Sequence, residues 1–246
     1  MDSSGNLSRC DRGRAYPAVE QNPRDDPESM DGWTCHSAAG LDAQKKTLGA
    51  TERDEQQRAD YRERVAHRRC TDFVIVDECG SNIDLTPIYA RAPDGTRAYG
   101  HVPRNKEQNT TLIASLSTQG MGPAMVLPGA TNTAAFEVYI EHFLVPSLTA
   151  GHIVVLDNLS AHKSVRVRRL IEAQGCELWY LPAYSPDLLP IEEAFSKLKH
   201  ALRRTGARTH EALEHAIAES LDMITAQDAQ SYLTHCGYGT AKMTAH

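Results

Sequence analysis

HIVVLDNLSAHK, residues 152–163, decides the fold when set beside LPAYSPDLLPIEEAFSKLK, residues 181–199. In the first stretch a short β-branched run, Ile153 to Leu156, ends on an acid, Asp157. Continuous apolar β-formers of this length indicate a strand buried on both faces. In the second, prolines punctuate a loop and Pro190 suits the first position of a helix. Ile191, Phe195, Leu198 and Leu202 then recur at helical spacing. Glu192 lies about 100° from Ile191, at the edge of that apolar face, whereas Glu193 lies near 200°, towards solvent. Between the two stretches, SVRVRRLIEAQG reads as a helix stopped by Gly175, and CELWYLP as a strand. Strand, helix, strand across 153–181 is a βαβ unit with parallel strands.

Working towards the N-terminus, DFVIVDECG (72–80) is a second buried run, read as a strand ending on Asp77. Side chains alternate along a strand, so if Asp77 faces a site, Glu78 faces away. Weaker strands are predicted at 85–90 and 97–102, around a Pro93-Asp94-Gly95 turn. TTLIASLS (110–117) and PAMVLPG (123–129) are strands with a turn at Gly120–Gly122. Asn132 or Thr133 caps a helix running to about Leu144. Beyond 181 three helices are predicted, at 190–204, 210–223 and 226–235, the last with a Thr225/Asp228 capping box. The class is α/β: a mixed sheet, strands first and βα units later, flanked by helices.

The 246 residues suit one large domain with an appendage. Residues 1–43, rich in Ser, Gly, Pro, Asp and Arg, read as a poorly structured lead. Residues 44–70 form a polar helix or linker, with Leu48, Tyr61 and Val65 as its only anchors. The main domain, which carries the acids, spans 71–240, and 241–246 is a tail. A hydrophobic content of 41% with 24% charged residues fits a globular chain, and no run is long enough to span a membrane. The N-terminus lacks the apolar core of a secretory signal. Six scattered cysteines without a CxxC pair point to reduced thiols in the cytoplasm and argue against a zinc site.

The net charge of −6 argues against a nucleic-acid partner only on average. Lys163, Arg166, Arg168 and Arg169 cluster just after Asp157, and Lys197, Lys199, Arg203, Arg204 and Arg208 just after Glu192. Such local clusters make a phosphate-binding face on an acidic protein. Two strand-end aspartates and a helix-borne glutamate are what a chain needs to hold two divalent cations for phosphodiester chemistry. Asn158, Ser160 and His162 crowd after Asp157, with His162 either a base, a phosphate contact or a local cap. Asp187 is assigned to a turn.

VIVDECG, RAYGHVPRNKEQNTTLIASLS, HIVVLDNLSAHKS and YLPAYSPDLLPIEEAFSKLK together strongly resemble the catalytic domain of bacterial insertion-sequence transposases related to mariner. The resemblance runs from about Lys45 to Gly239. It implies a ribonuclease-H-like fold, a mixed five-stranded sheet flanked by helices, with a DDE triad on Asp77, Asp157 and Glu192. Thirty-four residues separate the last two, the usual gap of that family. It further implies two Mg²⁺ ions, with Mn²⁺ able to substitute, held by the three acids, whose pKa values should be perturbed. The substrate implied is double-stranded DNA, the transposon ends and a TA-containing target, engaged by a homodimer at the bacterial nucleoid. Arg104, Lys106, Asn158, His162, Lys163, Arg166, Lys199 and Arg203 are the expected DNA contacts. This chain has Leu189 where many relatives carry Asn. Residues 1–43 also lack the helix-turn-helix pattern that precedes the family's catalytic domain. The expectation is therefore a catalytic portion whose DNA recognition comes from a separate N-terminal chain; the alternative is a truncated, silent remnant that binds DNA or partner subunits.

Overall fold

The computed structural model describes residues 50–104 and 108–239. The predicted lead at 1–43, the start of the 44–70 segment, Lys106 and the tail lie outside these residues. The described elements are α1 (Glu55–Ala66), β1 (Phe73–Ser81), β2 (Thr110–Ser117), β3 (Gly120–Pro128) and α2 (Thr133–Tyr139). They continue with β4 (Ile153–Leu156), α3 (Val165–Glu172), β5 (Glu177–Tyr180), α4 (Ile191–Thr205), α5 (His210–Asp222) and α6 (Ala226–His235). One five-stranded sheet has the order β3-β2-β1-β4-β5. β1, β2 and β3 pair antiparallel, whereas β1–β4 and β4–β5 are parallel. The mixed sheet and the βαβ unit are those read from the sequence.

The pleat divides the core. Phe73, Ile75 and Cys79 of β1 pack with Ile191, Phe195 and Leu198 of α4 on one face. Val74 and Val76 pack with Phe136 and Tyr139 of α2 and with Val167 and Ile171 of α3 on the other. Asn132 caps α2 by accepting the Ala135 N–H, and the Thr225/Asp228 capping box is present at α6. A π-turn, Ile140–Leu144, carries the α2 segment to its predicted end.

Four expectations need correction. β1 does not end at Asp77 but runs on to Ser81, because β2 keeps pairing with it as far as Ser81 opposite Thr110. The segments 85–90 and 97–102 are not strands; Ile88, Tyr89 and Tyr99 are exposed there and, among the described residues, no strand lies alongside to accept their backbone bonds. The turn between them does form, with Thr96 N–H donating to the Pro93 carbonyl. The β2–β3 hairpin turns at Thr118–Gln119, so Gly120 to Gly122 belong to β3. Finally, Tyr61 and Val65 are not the only anchors of α1: Arg58 is buried with them at i, i+3 and i+7, one turn-to-turn stripe against the domain. Arg58 was hidden from the sequence reading because charge argues against burial unless a partner waits inside.

Candidate active site

β1 and β4 run parallel in a register that sets Phe73 beside Ile153 and Ile75 beside Val155. Carried two residues further, the same register sets Asp77 beside Asp157. Pairing to β4 stops just before this point, so both carboxylates stand where the sheet opens. That is the carboxyl edge at which open α/β sheets bind ligands. Asp77 shares its strand face with Phe73 and Ile75, the face that α4 covers. Glu192, in the first turn of α4, completes the set. Asp77, Asp157, Asn158 and Glu192 line one cavity of about 410 Å³, walled on the far side by the loop 181–189.

The electrostatics follow from this crowding. Burial, joined by the charges of Glu78, Asp157 and Glu192, pushes the Asp77 carboxyl up to about 7, against a backbone hydrogen bond at Glu78 that lowers it. Burial also raises Glu192, with Lys199 working against it. Acids so placed repel one another and favour a bound cation. An all-oxygen donor set suits Mg²⁺ or Mn²⁺ rather than a thiophilic metal.

Asp157 is held by two further groups. Its Oδ1 accepts the Leu159 N–H at 3.1 Å and is hydrogen-bonded to His162 Nδ1. The other ring nitrogen, His162 Nε2, meets Glu78 Oε1 at 2.9 Å. The imidazole is fully buried and stacks on Phe136 with ring centres 4.2 Å apart. Although burial disfavours the imidazolium, the two carboxylates raise His162 to about 9. His162 is therefore not a DNA contact, since both ring nitrogens are taken inside the protein. Glu78 was expected to face away from the site. It does occupy the opposite strand face, yet the 3₁₀ turn Ser160–His162 folds over that face and links Glu78 to Asp157.

The loop 181–189 is fastened from behind. Asp187 accepts two hydrogen bonds from Arg58, at 3.0 and 2.6 Å. Tyr238 donates to the Leu188 carbonyl at 2.9 Å and lies 2.8 Å from the Tyr61 hydroxyl. Leu189, the departure from the common Asn, is buried in the core, so the substitution is absorbed by packing. Tyr184 within the loop has a positive φ of 55°, which an L side chain adopts only under constraint.

The other expected DNA contacts among the described residues divide into three groups. Lys199 and Arg203 line a second cavity with Asp77, Glu78 and Glu192, so the α4 cations do flank the acids. Asn158 and Lys163 are exposed beside Asp157, and Arg104 is exposed outside the regular elements. Arg166 is ion-paired to Glu141 at 2.5 Å and to Glu137 at 3.7 Å, so its charge is largely neutralised within the protein. Glu193 is only partly open to solvent, where its helical phase suggested full exposure: α6 brings His235 against it, with Glu193 Oε1 2.5 Å from His235 Nδ1.

Comparison with known proteins sharpens this picture. The family model described as DDE superfamily endonuclease matches residues 72–214. No curated protein matches. Among solved structures, the Mos1 transposase paired-end complex with left transposon end is 17% identical, with a TM-score of 0.67, over 92% of this chain and 79% of that one. The Mos1 mariner paired-end complex with Mn is 17% identical, with a TM-score of 0.63, over 95% and 82%. The corresponding complex with Mg is 15% identical, with a TM-score of 0.61, over 96% and 83%. At these identities the likeness is one of fold, the ribonuclease-H-like catalytic core with its mixed five-stranded sheet.

Proposed function

The chain belongs to the DDE superfamily of endonucleases, and from that premise we propose that it is the catalytic domain of a mariner-type DNA transposase. It cleaves DNA at the ends of its element and joins the freed 3′-hydroxyls to a target, at a TA step. The observation that carries this reading is the meeting of Asp77, Asp157 and Glu192 in one cavity, with Lys199 and Arg203 alongside.

Asp77, Asp157 and Glu192 would hold two Mg²⁺ ions, with Mn²⁺ able to substitute; that Mos1 complexes are known with Mn and with Mg supports a divalent metal. When bound, such a pair supplies activation of the attacking oxygen and stabilisation of the leaving oxygen in an in-line displacement. The chain's own groups do the rest. His162 and the Leu159 N–H fix the orientation of the Asp157 carboxylate. The Arg58–Asp187 pair and the Tyr238–Leu188 bond hold the wall of the cavity against a DNA strand. Lys199, Arg203, Lys163, Arg104 and Lys106 meet backbone phosphates, and Asn158 lies where the strand enters. The catalytic domain comprises 71–240, with α1 docked to it from the 44–70 segment. It works as a homodimer on DNA, at the nucleoid of a bacterial cytoplasm. No helix among the described residues is long and apolar enough to cross a membrane.

The test is Mg²⁺-dependent cleavage of a plasmid carrying the element's ends, with wild type beside Asp157→Asn. Nicking by the wild type and none by a folded Asp157→Asn supports the assignment. Near-wild-type activity in that variant sinks it. Cleavage without joined products reduces the protein to a nuclease. No cleavage by a folded wild type, even with the recognition chain added, leaves the silent remnant.

A further inference from the structure

Away from the catalytic acids, three potential ligands converge that sequence spacing hides. Glu193 is in the first turn of α4, His235 is the last residue of α6, and Cys236 is its C-cap. One donor atom from each lies within 4.8 Å of the others. Glu193 Oε1 is 2.5 Å from His235 Nδ1 and 3.9 Å from Cys236 Sγ. In a tetrahedral zinc site, donor atoms stand about 3.5 Å apart, as Zn–S and Zn–N bonds near 2.3 and 2.0 Å require. The oxygen–sulfur separation is already close to this. The oxygen–nitrogen one needs only a swing of the His235 side chain, which is 78% exposed and free to make it. The trio opens onto a cavity of about 520 Å³, which leaves room for water as a fourth ligand. The cation would also sit at the C-terminal end of α6, where the helix dipole favours positive charge.

We propose that Glu193, His235 and Cys236 form a zinc site distinct from the catalytic centre, tying the end of α6 to the turn that carries Glu192. Sulfur, nitrogen and oxygen donors select zinc, while the all-carboxylate triad selects Mg²⁺, so the two sites need not compete for one metal. Coordination displaces the thiol proton of Cys236, and that of His235 when it carries two, both released to water. None of the ligands belongs to the triad, so the proposal stands apart from the assignment of transposase activity. It runs against the expectation drawn from the missing CxxC pair, because Glu193 and His235 are 42 residues apart along the chain and meet only in the fold.

The test uses Co²⁺ as a spectroscopic probe on the full, reduced chain in excess Mg²⁺. A thiolate-to-cobalt charge-transfer band should appear with wild type and, unchanged, with Asp157→Asn. Cys236→Ser should abolish the band, and His235→Ala should weaken binding about tenfold or more. His235 is exposed, so its variant folds and keeps the test clean. Zn²⁺ should displace Co²⁺ and raise the Tm of the wild type but not of Cys236→Ser. The proposal is overturned if wild type shows no band, if the band survives Cys236→Ser, if it is lost in Asp157→Asn, or if His235→Ala binds as tightly as wild type.

Discussion

Asp187, on the loop that walls the cavity of the three acids, accepts two hydrogen bonds from the buried guanidinium of Arg58, 129 residues earlier in the chain. The side chain of Arg58 is fully buried while that of Asp187 is half exposed. Removing one partner therefore differs from removing the other. Asp187→Asn leaves the buried Arg58 cation with only the exposed Glu55, 3.4 Å from its Nε, and should cost roughly 2 kcal/mol, less than a wholly buried pair because water screens one side. Arg58→Met leaves only a carboxylate that water can reach, and should cost under about 1 kcal/mol. Both release the loop and should slow cleavage. Urea unfolding and cleavage rates on the two variants separate stability from loop position.

His162 joins Glu78 to Asp157, so His162→Gln should lower cleavage about 10- to 100-fold through misplaced Asp157, the range seen when a group orienting a metal ligand is removed. The same bridge makes a pH prediction. Its folded pKa, about 9, lies above the ordinary 6.5. The bridge therefore stabilises fully below pH 6.5 and is lost as pH rises through 9. Metal-free wild type should lose stability across that window, and His162→Gln should flatten the loss.

Asp77 acts at lower pH. Its folded carboxyl, at about 7, lies above the ordinary value of 3.8. The unfolded chain releases the proton first, so the metal-free protein loses stability as pH rises from about 4 to 7. At pH 8 without metal, Asp77→Asn should be more stable than wild type by on the order of 2 kcal/mol, while being inactive. Mg²⁺ should raise the Tm of wild type and fail to raise that of the variant. A variant no more stable than wild type in chelator would show that Asp77 is not under charge strain.

Lys199 and Arg203 border the acids, whereas Arg168 is paired to Glu172 on α3. Removing one cation that meets a phosphate should reduce the slope of log affinity against log salt by about 1. Lys199→Ala and Arg203→Ala should each do so in a titration with duplex DNA, and Arg168→Ala should not. Equal slopes in all three would remove α4 from the DNA path.

Much of the site was legible because its geometry is local or periodic. The phase of one helix set Glu192 at the edge of the apolar face, and apolar runs ending on acids marked Asp77 and Asp157. What the sequence hid depends on partners far along the chain. Arg58 is buried because Asp187 comes to meet it, Glu193 is covered because α6 folds back on α4, and Glu78 is drawn in because the turn at His162 crosses its strand face. The segments 85–90 and 97–102 have strand-like composition, yet composition cannot supply a neighbouring strand.

The central position of β1 has a consequence for how the chain is made. Its β2 edge is satisfied by the β2–β3 hairpin, the next strands in the chain, but its β4 edge waits for residues 153–156. A nascent chain still short of β4 leaves Phe73 to Ile75, a bare apolar edge, open to any passing strand. Asp77 and Asp157 do not stand side by side until that edge is closed, so the step that ends the hazard of misassembly is the one that brings the two acids together.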